Sequence, residues 1–261
     1  MQGTRCGIIK QQTSTMSQEL DLEVIQRTLE SWVHQFFGRG IQSQSHEGLA
    51  VNDLAATISG GRAIEHYHLG RFSMLDAESA LLQESKEPSP SKDNRSPIAL
   101  PLLAELSRLL PGAAIFATNE GHFGLGSGAA RVGDEIFVVL GCNFPLVMRH
   151  VEDSKYSIVG PCYVPNLSHG EAVLGPLPNG WKMVFDGRGL ATFTAPDGSR
   201  TLEDPRLEKE LPVGWEQREE SDPNELLWKR TEDETWWPLD PRQTPEKLEA
   251  RRVKLEMITV I

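Results

Sequence analysis

At 261 residues the chain is long enough for one large domain or two smaller ones. Apolar residues at 39% and charged residues at 24% are ordinary values for a globular protein and exclude a chain disordered throughout. The formal net charge of −11 repels a phosphate backbone, and no basic stripe interleaved with aromatics offsets it, so nucleic acid is not an expected partner.

Residues 1–16 show no periodicity and are expected to be disordered. Met1–Lys10 lacks the apolar run of a signal peptide, and nowhere do about 18 apolar residues follow one another, so a soluble, cytoplasmic protein without membrane contact is expected. Cys6, Cys142 and Cys162 form no CxxC pair; neither a disulfide framework nor a zinc cage is signalled, and a reducing compartment fits.

Residues 17–110 read as a helical region. Leu22, Ile25, Leu29, Trp32, Val33 and Phe36 recur at helical spacing, with Ser17 able to cap, acids at the start and Gly38 at the end. Weaker helical patterns follow at Asn52–Ser59, stopped by Gly60-Gly61, and at Phe72–Gln83. Residues 84–97 are too polar and proline-rich to pack and form an exposed loop. Leu102, Leu103, Leu106, Leu109 and Leu110 give a last apolar helical face, closed by Pro111-Gly112.

Within residues 111–175 the period becomes strand-like. Ala113–Thr118, Glu135–Leu140, Leu146–His150 and Tyr156–Val164 are short apolar runs parted by turn clusters, and their spacing predicts a small antiparallel β-barrel. A duplication follows. Leu177-Pro178-Asn179-Gly180-Trp181 closes on Glu203-Asp204-Pro205-Arg206, and Leu211-Pro212-Val213-Gly214-Trp215 closes on Leu239-Asp240-Pro241-Arg242. These bookends set two units, 176–208 and 209–243, each of which resembles a three-stranded WW domain. Residues 244–261 read as a helix begun by Thr244-Pro245 and a closing strand in which Val253, Leu255 and Met257 share one face. The fold class is therefore α+β: an N-terminal helical layer, a small antiparallel β-barrel, two WW-like units and a closing helix and strand.

The order of Phe116–Gly126, Val132-Gly133-Asp134-Glu135, Phe144–Arg149, Tyr156–Val164 and Gly170-Glu171-Ala172 is similar to the C-terminal block of fungal heterokaryon-incompatibility (HET) family proteins. Thr57–Arg62 resembles the family more loosely, and the WW-like repeats and the tail from Asp240 resemble endings seen in it. The family's N-terminal HET domain, credited with triggering cell death, does not precede these elements. The resemblance thus implies a recognition or regulatory region acting through protein contacts rather than an effector. Arg252 stands where a helix-ending glycine is expected, at a cost of about 1 kcal/mol if the left-handed geometry is kept.

Formal catalytic motifs fail their context. Gly124-Leu125-Gly126-Ser127-Gly128-Ala129 fits a dinucleotide fingerprint, but a turn into another strand follows it where the phosphates need a helix start. Ser168-His169-Gly170-Glu171 sets three catalytic residue types side by side, whereas a triad converges from separate elements. His66 and His68 could share a strand face but have no marked third ligand. Cys142 and Cys162 read as buried small hydrophobes in strands. No catalytic residue, cofactor or metal is expected, and the protein is not expected to be an enzyme.

The tryptophans are the remaining candidates. Trp181 and Trp215 should be core anchors packed on Pro205 and Pro241. A WW groove grips a polyproline helix between a second Trp and a Tyr. The first unit has Leu202 and no Tyr there. The second offers Trp228, Trp236 and Trp237 as partner-binding candidates, but Trp237 is displaced by one residue, which turns a strand side chain to the opposite face.

Overall fold

The computed structural model describes residues 1–18, 22–37, 56–58, 60, 108–185, 191–217, 227–237 and 240–261. The helical reading at Phe72–Gln83, the loop 84–97, most of the last leucine-rich helix and the His66/His68 pair lie outside them. The architecture is mixed, with sheet predominating.

Helix α1, Leu22–Phe37, forms where its periodicity predicts. Ile25, Leu29 and Trp32 are its buried side, and they pack with Met16, Ile115 and Leu125. Trp32 is fully enclosed, and its indole N–H donates to the Ser14 carbonyl at 3.0 Å, so the largest apolar body on the helix carries no unpaired donor into the core. Ala56–Ile58 is also helical, and Gly60 takes a φ of 59°, the left-handed conformation that suits a helix end.

Residues 1–16 are not disordered. Gln2–Gln12 is the longest strand described, β1. Its buried positions Gly3, Gly7 and Ile9 include two glycines, so burial leaves almost no apolar alternation in the sequence. At Gly3 the absence of a side chain is required, since a Cβ would stand 2.8 Å from the Val138 carbonyl; at Gly7 a Cβ would meet the Thr118 side chain at 3.1 Å and displace the mobile carboxylate of Glu120.

Five further strands come from the expected region: β2 Ala113–Thr118, β3 Phe123–Ser127, β4 Glu135–Val139, β5 Leu146–Glu152 and β6 Lys155–Tyr163. They pair antiparallel in the order β2-β3-β6-β5-β4. β1 then pairs with both ends of that series. Its first half lies against β4, from Gly3↔Val139 to Ile8↔Glu135, and its second half against β2, from Ile9↔Thr118 to Gln12↔Phe116. The pairings therefore run round a ring of six strands, and the region 111–175 supplies only five of them.

The interior cluster draws Ile9, Phe116, Ile136, Val147 and Cys162 from five of the six strands. The sixth, β3, contributes room instead. A Cβ on Gly124 would lie 2.2 Å from the Phe116 ring, so the Gly124-Leu125-Gly126 run is a close-packing device, with Leu125 turned outward to α1. Every residue of β2 is buried, because Phe116 faces the interior while Ile115 faces α1. A third cluster, Phe137, Val139, Met148, Tyr156 and Ile258, covers the ring elsewhere.

Asp134 and Arg149, from two of the sequence motifs, form a forked ion pair: Arg149 Nε donates to Oδ1 and Nη2 to Oδ2, both at 2.9 Å, while the Arg131 amide donates to Oδ2. This pins the entry of β4 to β5. Cys162 is buried as expected, and burial pushes its thiol up; Cys142 is exposed in the turn after β4 and is not a core residue.

After the short helix α2, Glu171–Leu174, come two three-stranded antiparallel sheets. β7 Lys182–Phe185, β8 Ala191–Thr194 and β9 Arg200–Thr201 make the first. β10 Trp215–Gln217, β11 Trp228–Arg230 and β12 Trp236–Trp237 make the second. Helix α3, Pro245–Ala250, follows, with Thr244 at its N-cap and Pro at the first position. The closing strand differs in phase from expectation. It is two short pieces, β13 Glu256–Met257 against β1 and β14 Thr259–Val260 parallel to β6, and the inward residue is Ile258 at 2% exposure, whereas Met257 is 68% exposed. Val253 is taken up by the helix end, which shifts the strand's start.

Candidate functional site

The two units repeat in detail. In each LPxGW opening the Trp amide donates to a proline carbonyl three residues back, Trp181 to Pro178 at 3.0 Å and Trp215 to Pro212 at 3.1 Å. Gly180 and Gly214, with φ of 80° and 86°, supply the positive φ that this turn needs.

The closing motifs are also alike. In the second unit Asp240 caps a single 3-10 turn, Pro241–Gln243, by accepting the Arg242 amide at 2.9 Å, and its carboxylate takes Arg242 Nε at 2.9 Å and Nη2 at 2.7 Å. The remaining Nη1 donates to the Glu208 carbonyl at 2.7 Å, just ahead of the unit's own start. In the first unit Arg206 forks onto Asp204 with Nε at 2.9 Å and Nη2 at 2.6 Å, then donates to the carbonyls of Gly175 and His169, each at 3.0 Å. Each Asp-Pro-Arg is thus a clasp that ties the end of a unit to its beginning. Both guanidinium groups are buried and donate from all three nitrogens, in a geometry that Lys could not reproduce.

Within the units, the expected anchors are not the deepest residues. Trp181, Pro205 and Trp215 are half-buried, and only Pro241 is buried. The enclosed aromatic is on the central strand of each sheet: Phe193 at 4% exposure and Trp228 at 5%. A three-stranded sheet of two to four residues per strand covers its middle strand first, and an opening-turn residue at the rim stays half open. Trp228 is accordingly a core residue and leaves the set of contact candidates. Its Nε1, with Arg230 Nε, is buried without a hydrogen-bond partner among the described residues.

Register decides where the other tryptophans face. Trp228 opposes Trp237 and Gln217, and Trp215 opposes Arg230, so Trp215, Trp228 and Trp237 share one face. Trp236 opposes Lys229 and takes the other face. The one-residue displacement read from the sequence has that consequence. Trp237 is neither buried nor isolated: it is 42% exposed and meets Trp215 edge-on, with ring centroids 6.2 Å apart and planes at 70°. Trp236 is 48% exposed.

A chain of polar contacts orients Trp237. Its Nε1 donates to Thr235 Oγ1 at 2.9 Å, Thr235 Oγ1 donates to Asp233 Oδ1 at 2.6 Å, and Asp233 is paired with Arg230. Glu234 adopts a φ of 55° to make the turn. The Arg230 guanidinium and the Thr235 hydroxyl hold the Asp233 carboxyl well below the usual carboxylate range. Sequence reasoning missed Thr235 and Asp233, whose only signal is that they lie in the turn before the tryptophan pair.

The Ser168-His169-Gly170-Glu171 run serves a turn. Ser168 Oγ accepts the Val164 amide and Glu171 Oε2 accepts the His169 amide, each at 2.8 Å, while Gly170 adopts a φ of 82°. No family model and no curated protein matches this chain. Among the described residues no helix is long and apolar enough to cross a membrane.

Proposed function

We propose that this is a non-enzymatic recognition and regulatory region of the heterokaryon-incompatibility type, built on a small β-barrel scaffold and acting in the cytoplasm through protein contacts made by the second WW-like unit. The carrying observation is the exposed pair Trp236 and Trp237 on β12, an edge strand held in register by β11 and positioned by the Thr235–Asp233–Arg230 chain. Exposed tryptophans beside a fixed guanidinium are the residue types that dominate protein interfaces. In fungal cells that carry an incompatibility effector, co-expression of the full chain should change the frequency of the growth-arrest response. Trp236→Ala with Trp237→Ala should abolish that change while the circular dichroism spectrum is retained. An unchanged response with the folded double variant would defeat the proposal.

The runner-up is an adaptor for proline-rich ligands, favoured by the same exposed indoles. Trp215 and Trp237 meet edge-on instead of forming two parallel walls, and Trp236 faces away from both. Loss of one wall removes about 1–3 kcal/mol from an already weak interaction. Titrating proline-rich peptides into the full chain should give no saturable tryptophan signal; micromolar saturation abolished by Trp237→Ala would make the adaptor the better reading.

A further inference from the structure

We propose that the cavity between β1, α2 and the end of α3 binds a small polyanion of the phosphate-ester class. The space is about 700 Å³, within the usual range of small-molecule sites. Arg5, Arg251, Arg252 and Lys254 line it against Glu171 and Glu256, an excess of cations in a chain whose net charge is −11. Several of these charges are already committed. Arg5 pairs with Glu135 at 3.3 Å, Arg251 Nη2 donates to the Arg206 carbonyl at 2.6 Å, and Glu171 accepts the His169 amide. Arg252 and Lys254 have no ion-pair partner among the described residues.

The backbone at Arg252 is the second observation. Helix α3 ends with the Arg252 amide donating to Glu249 O at 2.8 Å and the Val253 amide to Leu248 O at 3.1 Å, a double closure whose left-handed residue is ordinarily glycine. Here it is Arg252, with φ of 68°. A left-handed backbone retained at a cavity wall, beside an exposed guanidinium with no ion-pair partner among the described residues, points to a use for that charge. Guanidinium and ammonium groups lining one open space suit the several oxygens and double charge of a phosphate group. The apolar side of the wall, Val173 and Val253, accommodates a carbon body attached to it.

The strain makes the test selective, since Arg252→Gly relieves the backbone and removes the charge together. Calorimetric titration of the full chain with pyrophosphate and with ADP should give saturable binding that weakens at high salt. Arg252→Gly should melt higher than the parent and bind about tenfold more weakly, Lys254→Gln should also bind several-fold more weakly, and Lys182→Gln on β7 should bind as the parent does. Equal affinity for the two probes would assign the site to the diphosphate group alone, and tighter ADP binding would add the carbon body. Absence of saturable heat with both probes at millimolar concentration, or parental affinity in Arg252→Gly and Lys254→Gln, would overturn the proposal.

Discussion

Trp228 and Trp215 look interchangeable as tryptophans, yet the one on the central strand is enclosed and the one at the opening turn is half open. Trp228→Ala should therefore cost about 3–5 kcal/mol in urea denaturation, the range for a buried aromatic. Trp215→Ala and Trp181→Ala should cost roughly half of that, in proportion to the area they bury. Equal costs at all positions would contradict this ranking. At the same scale, Asp233 links Trp237 to pH. Its carboxyl is depressed in the folded state, so its contribution is fully present above the unfolded value of about 3.9 and is lost as pH falls through the lower folded value. Tryptophan emission of the parent should shift over that acidic window, and Asp233→Asn should already show the shifted signal at neutral pH. An Asp233→Asn spectrum identical to the parent's at neutral pH would break the proposed chain from Trp237 to Arg230. Thiols separate in the same manner: burial pushes Cys6 up to about 11, which keeps it protonated at neutral pH, while Cys142 stands open to solvent.

Among the elements, the clasps are what the sequence displayed most openly and what pattern reading understood least. The duplicated Asp-Pro-Arg was legible as a bookend, and its proline drew the attention because proline changes backbone geometry visibly. The Asp and Arg two residues apart gave no sign that their fork would also capture a carbonyl some thirty residues earlier, since that partner is a backbone atom and has no residue type. Arg242→Ala leaves Asp240 buried and unpaired and should cost about 3–5 kcal/mol by chemical denaturation. Arg242→Lys should recover less than half of the loss, because an ammonium cannot span both carboxylate oxygens and the Glu208 carbonyl. Full recovery by Lys would reduce the clasp to a simple charge pair. Strands β2, β4, β5 and β6 were legible because their apolar residues are real contacts on one or both faces. β1 was not, because its buried positions include Gly3 and Gly7, where fit is achieved by having nothing to see.

For the molecule as a whole, β1 gives the ring a seam. Its pairs join residues more than a hundred positions apart, such as Gly3 with Val139 and Ile9 with Thr118, and among the described strands it alone bridges β2 and β4. Zipping from neighbouring hairpins can assemble β2 through β6, but the seam requires a long loop to close before any contact rewards it. Closure should therefore be the late, slow event in refolding. A chain begun at Ser17 would retain five strands and expose two unpaired edges, the arrangement that invites another backbone to fill the gap. Such a chain should be prone to self-association, and a synthetic peptide of residues 1–16 added in excess should restore a monodisperse particle, read by light scattering. A monodisperse truncated chain indifferent to the peptide would show that the ring does not depend on its seam. The seam is thus a vacancy that the protein fills with its own backbone, and the address of that vacancy is written in hydrogen-bond register rather than in side chains, so any extended segment with small residues at the places of Gly3 and Gly7 is a competitor for it.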